Sequence, residues 1–215
     1  NLPPRGAKFD MYTAKYHRND NLDEIKAFVQ ANSFGILVSQ VENRPWATHI
    51  PIEWNTNAQG ENVLQGHIAR ANKQWRHFAD NEEVLAIFNG PHTYISSSWY
   101  SHENVPTWNY IAVHVYGKLR IIEGEELYQT LKDLVNKYEA TSKNPVAVER
   151  MSDEYVRREM KGIVGFEIAI QDIQATYKLS KNRNDADYEN IIQELEERGD
   201  AHSVAIAQAM KSQKT

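Results

Sequence analysis

"YIAVHVYGKLRII", residues 110–122, is the stretch that decides the fold. Ile111, Val113, Val115, Leu119 and Ile121, with Gly117 in the series, recur at every second position, and so fall on one side of an extended chain. Tyr110, Ala112, His114, Tyr116, Lys118 and Arg120 take the other. This predicts a long strand with one core face and one wet or interfacial face. Working upstream, "EVLAIFNG" (83–90) predicts a strand that Gly90-Pro91 stops. "VLQGHIARANKQW" (63–75) opens as a strand and closes as a short helix reaching about Ala79. "FGILVSQ" (34–40) and "WATHIPIEW" (46–54) flank a turn and form a hairpin. "NDNLDEIKAFVQAN" (19–32) has helical spacing, with Asp20 or Asn21 as its cap. Working downstream, "GEELYQTLKDLVNKYEA" (124–140) carries a Leu127–Leu131–Leu134–Val135–Tyr138 stripe and is a helix. "SDEYVRREMK" (152–161) is a short helix capped by Ser152. Residues 162–183 hold one more long strand, bent or interrupted. Two helices follow, Asp185 to about Arg198 and Ala201 to Met210, separated by Gly199. Links between strands are short, so antiparallel pairing dominates, and six or more such strands remove their sticky edges by closing into a barrel. The fold class is α+β, mostly β with peripheral helices.

Composition narrows the chemistry. The chain has 215 residues, 41% of them hydrophobic and 25% charged, with a formal net charge of −5. That length buries a real core without staples. With no cysteine, disulfides, thiolate metal sites and cysteine nucleophiles are excluded, and a cytoplasmic setting is expected. A negative chain is a poor default ligand for DNA, whose binding rests on phosphate neutralisation. "VRREMK" (156–161) and "MKSQK" (210–214) are the best DNA-facing stretches, and both read as ordinary solvated helix. No apolar run approaches the ~18 residues of a membrane span. Residues 1–10 lack periodicity and read as a leader ahead of Met11. Residues 11–183 are expected to form the main domain, and 184–215 a helical extension packed on it.

Several clusters carry possible chemistry. In "GHIARANKQW", His67, Arg70, Asn72 and Lys73 crowd the junction of a strand and a helix. Free amides at a helix start attract phosphate, arginine grips it with two N–H groups, and lysine adds a point charge. The same pattern also describes a solvated, capped helix start, and on pattern alone that plainer reading outweighs the first. In "VPTWNY", Thr107 and Asn109 suit a heterocycle's hydrogen bonds and Trp108 its face, or the three simply complete a turn. "YKLSKNR" (177–183) sets Lys178, Ser180, Asn182 and Arg183 at a strand's end. The eight histidines show no metal-ligand spacing, so no metal site is expected. Triad, P-loop and Rossmann motifs are lacking. Ser96 to Ser98 read as a loop or cap.

Taken together, "MYTAKYH", "FGILVS", "HIPIEW", "GHIARANKQW", "IFNGPHTYISSSWY", "VPTWNYIAVHVYGKLRII" and "GIVGFEIAI…YKLSKNR" resemble the PaiB family of FMN-binding negative transcriptional regulators, from Met11 to about Ala205. The one departure is Ala14, where the family opens "MYTP". The resemblance implies an antiparallel split β-barrel of the FMN-binding type and a homodimer with FMN in a groove between subunits. It implies Arg70, Asn72 and Lys73, with His67 beside them, as phosphate ligands, and Thr48 and His49 as flavin neighbours. Thr107, Trp108 and Asn109 would reach the ring or the partner subunit. Lys178, Ser180, Asn182 and Arg183 would close the site. It leaves open an FMN-dependent oxidoreductase using NAD(P)H, with His67, His49 and Tyr110 as first suspects for proton transfer, or a flavin or haem sensor without turnover.

Overall fold

The structure is a computed structural model that describes residues 11–80 and 83–213; the leader expected at residues 1–10 lies outside them. Seven strands run β1 (Arg18–Asn19), β2 (Phe34–Val41), β3 (Arg44–Thr56), β4 (Asn62–Ala69), β5 (Val84–Ile95), β6 (Thr107–Ile122) and β7 (Ile163–Lys178). Five α-helices accompany them: α1 (Leu22–Ala31), α2 (Gly124–Glu139), α3 (Asp153–Met160), α4 (Asp185–Arg198) and α5 (Ala201–Ser212). The strands form one sheet in the order β1-β7-β4-β3-β2-β5-β6, and β6 also pairs with β7, so the order returns on itself. Closure of this kind satisfies backbone groups that an open edge would leave free.

Local chemistry explains most boundaries. Glu42 and Asn43, both at positive φ, make the two-residue turn between β2 and β3, a geometry whose twist matches the strands it joins. Asn21 accepts from the amides of Asp23 and Glu24 and starts α1. Ser152 caps α3, Asn184 caps α4 and Asp200 caps α5. Gly199, at φ 72°, ends α4 in the left-handed conformation that glycine adopts freely.

The chain divides into two compact units. The first takes residues 29–87 and 115–173 and packs Leu37, Ile52, Trp54, Leu64, Ile68, Phe78 and Phe166 in its core. The Phe78 and Phe166 rings meet edge-on at 6.0 Å. Beside this core lies a polar lock. Glu53 is buried and accepts from Lys137 (2.5 Å) and from the Tyr138 hydroxyl (2.9 Å) of α2. Glu167, 3% exposed, accepts from Gln65 and Arg120, and Arg120 also pairs with Glu126. The second unit takes residues 11–28, 88–114 and 174–213 of the described chain, and buries Ile25, Phe88, Ile95, Val113, Leu179, Ile191, Leu195 and Ile206.

Three expectations need correction. β5 does not stop at Gly90-Pro91 but continues to Ile95. Its pairing with β2 covers only Leu85–Ile87, so the missing N–H of Pro91 falls beyond that ladder. Gly90 is there because a Cβ would lie 2.5 Å from the Phe28 ring. The core face of β6 changes phase near its end, leaving Ile121 40% exposed and Ile122 buried. Residues 163–178 form a single uninterrupted strand, and the chain turns only afterwards, at Ser180 (φ 58°). The short helix expected after β4 is present as a 3-10 segment, Lys73–Asp80.

Candidate functional site

The expected site residues fall into two groups, one in each unit, and each is described by itself.

In the first unit, strand β4 ends at Ala69 and the chain is fixed at once. Arg70 donates from Nε to the Lys161 carbonyl (2.8 Å) and from Nη2 to that of Ile163 (2.9 Å). Its guanidinium also lies over the Trp75 ring, 5.6 Å from the centroid. Two of its five N–H donors are therefore engaged and three are left. Asn72 accepts from the Gln74 amide (3.1 Å) and donates to Thr48 Oγ1 (2.9 Å). Thr48 in turn donates to Gln74 Oε1 at 2.6 Å. Gln74 is fully buried, and its Nε2 donates to Ser39 Oγ (2.9 Å) and to the Trp46 carbonyl (3.2 Å). This network clamps the 3-10 segment, an intrinsically weak helix, onto β2 and β3. Lys73 is exposed and forms no ion pair among the described residues. The result is a rigid corner that presents one free ammonium and the unused edge of a guanidinium.

The two strand residues expected beside each other do not point together. Alternation along β3 puts Thr48 on the side of Gln74 and His49 on the opposite face. His49 pairs across with Ile36 of β2. His67 is half-buried on β4, and burial holds it below its ordinary pKa, so it is neutral at pH 7.

In the second unit, Lys178 donates to Thr107 Oγ1 at 2.7 Å. Asn109 and Ser180, both almost fully buried, bond each other at 3.0 and 3.1 Å. That pair holds the left-handed turn after β7, and its polar atoms face each other rather than a ligand. Trp108 is 52% exposed, with Tyr94 edge-on at 6.1 Å and His92 at 6.3 Å. Asn182 is exposed. Arg183 lies over the Tyr100 ring at 4.8 Å. Sequence reading missed His17, 8% exposed. Burial and the charges of Lys178, Lys181 and Arg183 push its pKa down to about 4. It also missed Gln74, because nothing in periodicity marks a buried amide.

The His17 shift has a sign that can be checked. An unfolded chain protonates this imidazole near pH 6.5, and the folded chain only near 4. The contribution is thus fully present above pH 6.5 and is lost as pH falls from 6.5 to 4, by up to about 3 kcal/mol. Urea unfolding at pH 7 and 4.5 is expected to show a smaller acid loss for His17→Gln than for the unaltered chain. Equal losses would remove His17 from the account.

Among the described residues, no group of three His, Asp or Glu side chains is placed to hold a metal, and no helix is long and apolar enough to cross a membrane. Of the cations in the expected DNA-facing stretches, Arg158 pairs with Glu159 and Lys211 with Glu196, and Lys214 lies outside the described residues.

Comparison with known proteins adds the rest. Residues 11–172 match the family model described as "Putative FMN-binding domain". The chain is 47% identical over 201 residues to "Protease synthase and sporulation protein PAI 2" of Bacillus subtilis, covering 94% of this chain and 97% of that protein. It is 26% identical over 242 residues to the uncharacterized protein AN0679 of Emericella nidulans, covering 94% and 96%. Among solved structures, the FAD and heme binding protein of Mycobacterium smegmatis aligns with a TM-score of 0.60 at 13% identity, over 75% of this chain and 73% of that one. The flavocytochrome Anf3 of Azotobacter vinelandii gives 0.59 at 12% identity, over 83% and 78%. At these identities the two structures speak for the fold, and the antiparallel split β-barrel expected from the sequence is what they share with this chain.

Proposed function

The chain belongs to the "Putative FMN-binding domain" family, and from that membership we propose that it works as an FMN-binding homodimer and a PaiB-like negative regulator of transcription. Its cofactor is FMN. The observation that carries the seat is the clamp of Asn72, Thr48 and Gln74, which holds the Arg70–Lys73 corner still against β3. The donors left over there, the Lys73 ammonium and three guanidinium N–H groups of Arg70, fit a phosphate dianion in number and charge. His67, on β4 three residues before Arg70, can meet the flavin without adding charge, and His49 would meet it from the other face of β3. FMN supplies reversible hydride and electron transfer when bound; the protein's part is to hold and orient it. Trp108 offers an exposed ring face of the kind a flavin or a partner subunit covers.

Support for the dimer comes from the outer face of the first unit's sheet. Phe34, Ile36 and Val38 of β2 line up by register with Ala47 of β3 and with Leu85 and Ile87 of β5. Phe34 is 68% exposed. Contiguous apolar surface on a sheet is what a second copy buries. Light scattering at micromolar concentration is expected to give a dimer, and Ile36→Lys with Val38→Lys a monomer. A monomeric parent with FMN bound would sink the interfacial groove.

The regulatory half rests on the resemblance to the PaiB family. With Arg158 and Lys211 paired to glutamates and a net charge of −5, the reading that fits best is regulation through the flavin rather than through a built DNA surface. Two assays separate it from turnover: a salt-dependent gel shift on the promoter region of its own gene, and NADPH oxidation with FMN present. NADPH oxidation without a gel shift would establish the oxidoreductase instead. A flavin spectrum of the purified protein, alone or supplied with FMN, tests the shared premise.

A further inference from the structure

The second unit holds a set of basic groups with no carboxylate in ion-pair contact among the described residues. Lys178 donates to a threonine hydroxyl and Lys181 to the Gln213 side-chain amide oxygen. Arg183 rests on an aromatic face. None of the three forms an ion pair with a carboxylate among the described residues; Glu24 reaches Lys181 only through Gln213. Around them, donors are buried without partners. These are His17 Nδ1 and Arg183 Nε, with Asn19 Nδ2 and the Tyr100 hydroxyl close by in the same unit. His17, Asn19 and Tyr100 are 8%, 7% and 8% exposed. Buried polar atoms of native proteins have partners in the great majority of cases. Water can complete a hydrogen bond, but it cannot balance several like charges. The mutual repulsion is visible in the side chains themselves. His17 is kept neutral by burial and, beyond that, by its three cationic neighbours, and Lys178 is lowered by burial and by Arg183.

We propose that this basic cluster binds a tetrahedral oxyanion, as free phosphate or as the phosphoryl end of a second small ligand, separate from the phosphate of FMN. Arg183 would supply its free Nε edge, Lys178 and Lys181 their charge, and His17 a ring N–H. The inference rests on the reading that seats the FMN phosphate at the Arg70–Lys73 corner.

The test titrates FMN-loaded protein with inorganic phosphate, and in parallel with phenyl phosphate, at ionic strength held constant with sodium chloride. Calorimetry is expected to show one saturable site per chain, with movement of the His17 imidazole resonances in NMR. Tighter binding of phenyl phosphate would point to an ester ligand, and tighter binding of inorganic phosphate to the free ion. His17→Gln with Lys181→Met should weaken phosphate at least tenfold while flavin absorbance is retained. Absence of saturation, or unmoved His17 resonances in the unaltered protein, overturns the proposal without any variant. So does loss of FMN together with phosphate in the double variant, because the cluster would then be the flavin's own seat. Failure of the unaltered chain to take up FMN refutes the flavin reading instead. It is told apart by titrating the flavin-free chain, which must still saturate with phosphate for this proposal to stand.

Discussion

Arg70→Ala combined with Lys73→Ala is expected to weaken FMN binding by roughly a hundredfold to ten-thousandfold, since each charge-assisted phosphate contact is worth about 1.5–3 kcal/mol. Fluorescence titration of FMN reads this directly. The two residues are not equivalent. Arg70 also holds the carbonyls of Lys161 and Ile163, so its loss combines a missing ligand with a loosened corner. Lys73 is exposed and unpaired among the described residues, and Lys73→Ala alone should cost about ten- to a hundredfold in affinity with an unchanged melting temperature. Unchanged affinity in the double variant would move the phosphate elsewhere.

Gly117→Ala is expected to give the second large effect, on stability. A Cβ at Gly117 would stand 2.2 Å from the Ala169 carbonyl oxygen and 2.7 Å from Ile168 Cγ2. The obstacle is β7's own backbone, which does not swing aside as a side chain would. Overpacking of this sort costs about 3 kcal/mol, which for a chain of this size is a fall of roughly 6–12 °C in Tm. Calorimetry would show it, and a drop of under 2 °C would mean that β6 and β7 do not approach as closely as described.

Much of the fold was legible because periodicity and end signals agree. The extent of α2, the caps of α1 and α3 and the Gly199 stop all appear where residue chemistry puts them, although of the α2 stripe only Leu127 is buried and Tyr138 is 50% exposed. The failures share a cause. Gly90-Pro91 reads as a breaker only if the strand needs that N–H, and whether it does depends on which neighbour lies alongside, a fact of pairing rather than of local sequence. Ile121 and Ile122 are both apolar, so a phase change between them leaves no mark in the pattern. The site was legible as residue types and not as roles. Arg70 and Asn72 are hydrogen-bond partners of Lys161 and Thr48, which lie 91 and 24 residues away in the chain. His17 meets Lys178 across 161 positions, between segments whose individual patterns give no reason to expect it.

The amide of Gln74 has a consequence for how this protein can diverge. Thr48, Asn72 and Gln74 satisfy one another around a buried centre, so replacing any one strands a polar atom of the other two away from water. The three positions are therefore heritable as a unit. A lineage can keep all of them or exchange them together for an apolar set of the same shape, whereas the single steps between those states pass through a less stable protein. Lys73, one residue before Gln74 and outside the bonded set, carries no such linkage and is free to change with whatever ligand the corner comes to hold.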